Sequence, residues 1–122
     1  MTRMKIGVYG YGFVGGATGE VLGEVHDIYP YDKFKVPFNT SSHLEALADN
    51  VEVVFLCVPT PMKRSGAIDY DPMHDSLRTL CDAFARRSRN PKDVVLTIRS
   101  TAVSGTTDSF AQEYPFRFAF TT

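Results

Sequence analysis

The stretch Gly-Tyr-Gly-Phe-Val-Gly at residues 10–15 carries the strongest evidence for the fold of this chain. Its GxGxxG spacing lies between an apolar run and a segment that can be helical, which is typical of a dinucleotide-binding turn. Gly10 allows a tight turn, Gly12 lets the backbone approach a pyrophosphate, and Gly15 lets the helix pack closely on the sheet. The N–H groups and dipole of the helix start then favour phosphate charge. The alternative is a glycine-rich turn that binds nothing.

A carboxylate stands at the expected distance from this turn. Asp32 lies 22 positions beyond Gly10, where an acid that binds ribose hydroxyls is expected about 20 residues further on. Such an acid repels a 2′-phosphate, which favours NAD over NADP as the cofactor. Lys33 and Lys35 keep NADP as the alternative cofactor, because a nearby cation can accommodate its 2′-phosphate. The alternative for Asp32 is a plain turn residue.

Size and composition indicate one cytoplasmic domain over residues 1–122. The net charge of −1 points to neither nucleic acid nor an anionic membrane, and no apolar stretch approaches the roughly 20 residues of a membrane span. The N-terminus enters an expected strand within a few residues, which leaves no room for a signal peptide. Cys57 and Cys81 lack a CxxC spacing, so we expect free buried thiols in a reducing cytosol and no metal.

Apolar periodicity alternates between strands and helices along the chain. The unbroken apolar run at 53–58 is typical of a strand buried on both faces of a parallel sheet. We therefore expect an α/β fold, namely a doubly wound parallel sheet of Rossmann type in three α/β/α layers. The expected strands are 4–9, 28–32, 53–58, 94–98 and 116–120. The expected helices are 12–23, one from a capping box at Ser42 to about 49, one from an N-cap at Asp71, and one from Ser104 to about 113.

Small hydroxyl residues follow two of these strands. Thr60 belongs to a Val-Pro-Thr-Pro segment that begins at Val58 and Pro59, and Ser100 and Thr101 follow the fourth strand. Ligands of such folds bind beyond the carboxyl ends of the strands, so all five residues are candidates for lining the cofactor. The alternative is that the hydroxyls cap backbone groups in loops.

Other polar groups have structural interpretations. The aspartates at 69, 71 and 75 fit the start of a helix, with a metal site as the alternative. The arginines at 86, 87 and 89 are expected to complement the dipole of the helix that they end, with ligand binding as the alternative. The histidines at 26, 43 and 74 have no second ligand or nucleophile beside them, so we interpret them as structural or exposed.

Three longer stretches together resemble the NAD-binding domain of the UDP-glucose/GDP-mannose dehydrogenases. They are KIGVYGYGFVG at 5–15, FLCVPTP at 55–61 and IRSTAVSGTT at 98–107. The resemblance implies that Phe13 and Val14 offer backbone N–H groups to the pyrophosphate and that Asp32 holds the adenosine ribose. It also implies that Thr60 and Thr101 lie near the nicotinamide half, with Thr101 placing a water in the active site.

The same resemblance implies an activity. These enzymes oxidise the C6 alcohol of a nucleotide sugar to a carboxylate, through an aldehyde level and with two molecules of NAD. The family's catalytic glutamate, lysine, asparagine and cysteine, its central helix and its sugar-binding domain are not among these residues. We therefore expect a cofactor domain that binds NAD but does not turn over a substrate by itself. Binding of a nucleotide-sugar substrate would depend on the missing domains. A homodimer is one possible oligomeric state. The alternative is a free-standing dinucleotide-binding module with a sensing or structural role.

Overall fold

A computed structural model describes residues 3–59, 61–99 and 106–120. Parallel strands alternate with helices along these residues. The strands are β1 (Lys5–Tyr9), β2 (Asp27–Tyr31), β3 (Val53–Leu56), β4 (Val95–Ile98) and β5 (Arg117–Phe120). The helices are α1 (Phe13–Leu22), α2 (Ser41–Asn50), α3 (Asp71–Arg86) and α4 (Thr106–Glu113), with a 3-10 turn at Pro91–Asp93. The expected elements are therefore confirmed, with bounds that shift by one or two residues; the expected cap at Ser104 lies outside the described residues.

The five strands form one parallel sheet in the order β2-β1-β3-β4-β5. The strand order reverses between β1 and β3, because the chain adds β2 on one side of β1 and later strands on the other. Open α/β sheets bind ligands in the crevice at such a reversal, beyond the carboxyl ends of the strands. The predicted Rossmann-type fold is confirmed, and its topology places a crevice next to the glycine turn.

Alternating side-chain directions put the helices on both faces of the sheet. On β1, a Cβ added to Gly7 would lie 3.0 Å from Leu47 of α2. Val8 points to the opposite face, where its Cγ1 lies 3.3 Å from the position of a Cβ on Gly15 of α1. The larger core lies on the α2 face, where α2, α3 and α4 bury their apolar stripes against the strands. The protein thus has the expected three layers, with α1 alone on its side among the described helices.

The start of α2 differs from the expected one. The N-cap is Thr40, whose Oγ1 accepts the backbone N–H of His43 at 3.2 Å. The capping box at Ser42 is therefore wrong, because an earlier hydroxyl in the same polar run satisfies the free N–H group at the helix start.

The start of α3 lies one residue earlier than expected. Tyr70 is the N-cap and Asp71 is already helical, so the N-cap at Asp71 is wrong. The carboxylate of Asp69 accepts the Asp71 N–H at 3.0 Å, which means that the acid two residues earlier holds the entry to the helix.

The arginines after α3 stabilise the end of α2. Arg89 donates to the carbonyl oxygens of Ala48 and Val51 at 2.8 and 2.9 Å, and these oxygens have no partner within the helix. Arg87 donates to both carboxylate oxygens of Asp49 at 2.7 and 2.8 Å. The expectation that all three arginines serve the dipole of α3 is therefore wrong, since tertiary packing brings a neighbouring helix end to two of them.

Candidate functional site

A cavity of about 730 Å³ opens at the carboxyl ends of β1, β2 and β3. The glycine turn, the loop after β2, the end of β3 and the start of α3 form its walls. Six residues that the sequence predicts as cofactor-binding line it, namely Gly10, Gly12, Asp32, Lys33, Val58 and Pro59. The cavity thus lies at the strand-order reversal where the fold predicts a ligand.

Three glycines shape the turn in different ways. Gly10 has φ +91°, and a Cβ there would lie 2.8 Å from the carbonyl oxygen of Cys57, so no other residue fits without strain. A Cβ at Gly15 would overlap the carbonyl oxygen of Gly10. A Cβ at Gly12 would meet no atom of the described residues within 4 Å. Gly10 and Gly15 are therefore needed by the fold itself, whereas the space at Gly12 is open toward the cavity.

The start of α1 is free of side-chain caps. Gly12 is its N-cap and contributes no side-chain hydrogen bond, and the first turn contains no acidic residue. The first N–H groups of a helix have no partner within the helix, and the helix dipole makes this end attractive to anions. The backbone N–H groups of Phe13 and Val14 belong to this turn, and within residues 3–59, 61–99 and 106–120 no side chain caps it.

Asp32 joins the glycine turn to the loop after β2. Its Oδ2 accepts the backbone N–H of Tyr11 at 2.8 Å, and its Oδ1 accepts those of Phe34 and Lys35 at 2.9 and 3.1 Å. An ionised carboxylate has about four acceptor positions, so capacity remains for a ligand hydroxyl. The turn-residue interpretation of Asp32 is therefore correct for Oδ1, and the carboxylate also lines the cavity.

A buried hydroxyl lies beneath the turn. Tyr9 precedes Gly10 and is 2% exposed, and its hydroxyl makes no hydrogen bond of regular geometry with a described residue. Burial raises the pKa of Tyr9 strongly, and the hydroxyl of nearby Thr79 opposes part of that rise. Tyr9 thus stays neutral and contributes to the lining of the cavity.

The structure leaves three predicted site residues untested and places the side chain of a fourth away from this cavity. Thr60, Ser100 and Thr101 lie outside the described residues. The side chain of Val14 lines a separate groove with Phe55 and Arg99 on the α1 face, and Val14 is not among the residues that line the cavity.

Phe34 and Asp75 are among the residues of the cavity wall that sequence reasoning did not assign to the site. Phe34 is 87% exposed although it is a large aromatic side chain, and Asp75 of α3 faces the loop after β2. The signal for Asp75 was present, because the N-termini of crossover helices and the carboxyl ends of parallel strands lie at the same edge. The sequence favours a helix start for the acidic residues at 69–75, with a metal site as the alternative, and neither interpretation includes their place in the cavity wall. No group of three metal-ligating side chains occurs among the described residues.

The remaining reactive side chains have structural roles. Cys57 and Cys81 are unpaired, as predicted, but both are half-buried and not fully buried. Their partial burial raises the pKa of Cys57 to about 11 and also raises that of Cys81. The histidines bond to neighbouring elements, with Nδ1 of His26 accepting the Met4 N–H at 3.1 Å and Nδ1 of His74 lying 2.8 Å from the Tyr114 hydroxyl. No helix in the described ranges is both long and apolar enough to cross a membrane.

Comparison with known proteins agrees with this geometry. The model of the UDP-glucose/GDP-mannose dehydrogenase family, NAD binding domain, matches residues 31–115, a range that begins just before Asp32 and follows the glycine turn. No curated protein sequence matches the chain.

Solved structures extend the likeness across the glycine turn. A ternary complex of GDP-mannose dehydrogenase from Pseudomonas aeruginosa has 19% sequence identity and a TM-score of 0.72, over 96% of this chain and 35% of that one. UDP-glucose dehydrogenase from Pyrobaculum islandicum has 18% identity and a TM-score of 0.67, over 98% of this chain and 35% of that one. These identities show a shared fold, and the chain spans about a third of the length of these proteins.

Proposed function

Since the chain belongs to the UDP-glucose/GDP-mannose dehydrogenase family as an NAD-binding domain, we propose that residues 1–122 form one domain that holds NAD for oxidation of a nucleotide sugar. The reaction is the conversion of the C6 alcohol to a carboxylate, which removes two pairs of electrons and uses two molecules of NAD. Bound NAD supplies the hydride acceptor. The residues of this chain bind and orient that acceptor.

The open space at Gly12 beside an uncapped helix start is the observation that carries the proposal. Gly10 and Gly15 would be required for any such turn, because backbone atoms close both positions. Gly12 is not required for the fold in that sense, and its missing side chain makes room that the protein does not fill. A diphosphate placed there would accept from the N–H groups of Phe13 and Val14 and would gain from the dipole of α1.

The adenosine half belongs on the side of Asp32. The carboxylate has capacity for about one ribose hydroxyl beyond its three backbone donors, and Val58 and Pro59 add an apolar part to the same cavity wall. A 2′-phosphate would approach the same negative charge, which supports NAD over NADP. Thr60, Ser100 and Thr101 remain candidates for the nicotinamide side on the basis of the sequence resemblance.

The proposal also covers the nucleotide sugar, the catalytic groups and the oligomeric state. A hydride donor must be held next to the acceptor for transfer to occur, and the chain covers 35% of the length of the family's solved structures. We propose that domains beyond these residues bind the nucleotide sugar and complete a homodimer. We also propose a cytoplasmic location, which the unpaired cysteines support.

Calorimetric titration of the 122-residue chain tests the cofactor role. We expect NAD to bind severalfold more tightly than NADP, and Asp32→Ala to reduce both NAD affinity and this preference. Asp27→Ala is the matched control, because Asp27 lies at the opposite end of β2 and pairs with Arg3 at the surface. Absence of NAD binding, or equal affinity for the two dinucleotides, would contradict the proposal.

A second assay addresses turnover. The chain alone should produce no NADH from UDP-glucose or GDP-mannose, because the groups that hold and activate the sugar are supplied elsewhere. Sustained NADH formation by the purified chain would contradict the proposal that other domains supply the groups that bind and activate the sugar.

A further inference from the structure

An ion pair crosses the cavity on the side of Asp32. The Nζ of Lys33, which directly follows Asp32, lies 3.0 Å from Oδ2 of Asp75 in α3. The two side chains are 48% and 45% exposed, so the pair sits at the cavity mouth and not in the core. It links the loop after β2 to α3 across the position that the proposed function gives to the adenosine ribose.

The charge around this cavity is negative despite the two lysines. Four carboxylates and two ammonium groups line it, which gives a formal sum of −2. They are Asp32, Asp69, Asp71 and Asp75 against Lys33 and Lys35. Asp69 is held by the backbone of α3 and Asp32 by three backbone N–H groups. Asp75 differs from both, because its partner is the ammonium group of Lys33, which would otherwise be available to a phosphate.

We propose that Asp75 is a positioning residue for Lys33 and that this restraint contributes to the rejection of NADP. The inference rests on the proposed function, since it assumes that the adenosine ribose lies beside Asp32. A 2′-phosphate there needs a cation to offset the charge of Asp32. Lys33 stands at the right position in the chain, but Asp75 holds its ammonium group and adds a further negative charge. Asp32 therefore repels the phosphate, while Asp75 removes the cation that would compensate for it.

Dissociation constants of NAD and NADP for a small set of variants test this role. Asp75→Asn should shift the ratio of the two constants toward NADP by about tenfold, because it frees one cation and removes one anion near the extra phosphate. Asp75→Glu, which can still pair with Lys33, should retain the wild-type ratio. Asp82→Asn is the matched control, since it removes the same charge from an exposed position of α3 outside the cavity.

The combination of Asp75→Asn with Lys33→Gln separates positioning from a general charge effect. If Asp75 acts through Lys33, the double variant should lose most of the shift that Asp75→Asn produces. A shift of equal size in the double variant, or an unchanged ratio in Asp75→Asn while NAD still binds, would overturn the inference and leave the proposed function standing. Failure of the wild-type chain to bind NAD would overturn both. Thermal melts of each variant show whether the fold is intact.

Discussion

Replacing Gly12 with alanine should abolish NAD binding and leave the fold intact. The new Cβ would meet no atom of the described residues within 4 Å. The weaker N-cap should cost about 1 kcal/mol or less. The methyl group would stand where the diphosphate approaches the start of α1. Loss of two hydrogen bonds to charged oxygens, each worth about 1.5–3 kcal/mol, lowers NAD affinity by at least about a hundredfold.

Gly16→Ala is the matched control for this experiment. A Cβ at Gly16 also meets nothing within 4 Å, but Gly16 lies inside α1, where alanine is favoured over glycine by about 0.5–1 kcal/mol. This variant should melt at a slightly higher temperature and bind NAD as the wild type does. Circular dichroism melts and calorimetric titrations of both variants give the comparison. Wild-type affinity in Gly12→Ala, or loss of binding only together with loss of fold, would refute the reasoning.

Three further perturbations test the packing beneath the site. Gly15→Ala should lower the free energy of unfolding by about 1–3 kcal/mol or more, because its Cβ would overlap the Gly10 carbonyl oxygen; a urea midpoint equal to that of the wild type would argue against this geometry. Tyr9→Phe removes a buried hydroxyl that makes no hydrogen bond of regular geometry with a described residue, so stability in urea should change by less than about 1 kcal/mol, and a clear loss would mean that the hydroxyl is bonded, with Thr79 as the candidate partner. Burial holds the pKa of Cys57 at about 11 against an ordinary value of 9.0; alkylation by iodoacetamide at pH 8, followed by mass spectrometry, should therefore be much slower in the folded chain than in urea. The unfolded thiol loses its proton at a lower pH than the folded one, so the free energy of unfolding should fall as the pH rises from about 9 to about 11. Fast alkylation of the folded chain would contradict the burial of Cys57.

Backbone requirements explain why much of the fold could be predicted from the sequence. The spacing of Gly10, Gly12 and Gly15 reports positions where main-chain atoms come too close for a side chain or leave space for a ligand. The apolar run that contains β3 reports burial on both faces of a parallel sheet. Both signals depend on residues that are close in the chain. The turn and the parallel strand are confirmed, but burial on both faces is not, because β3 alternates half-buried and buried residues.

Details that depend on distant partners could not be predicted in the same way. Three hydroxyl residues stand in a row at 40–42, and only the direction of the incoming chain makes Thr40 the cap of α2. Arg89 meets carbonyl oxygens 41 and 38 positions earlier in the chain. Asp75 lies 42 positions after Lys33, so its place at the cavity follows from the register of α3 on the sheet and not from any local pattern.

The most direct test of the account is a crystal structure of the chain with NAD. We expect the diphosphate at the start of α1, within about 3.2 Å of the backbone nitrogen of Phe13 or Val14, and a hydroxyl of the adenosine ribose on the carboxylate of Asp32. Density for NAD elsewhere on the molecule, or a cleft at Gly12 that stays empty at saturating NAD, would contradict the account.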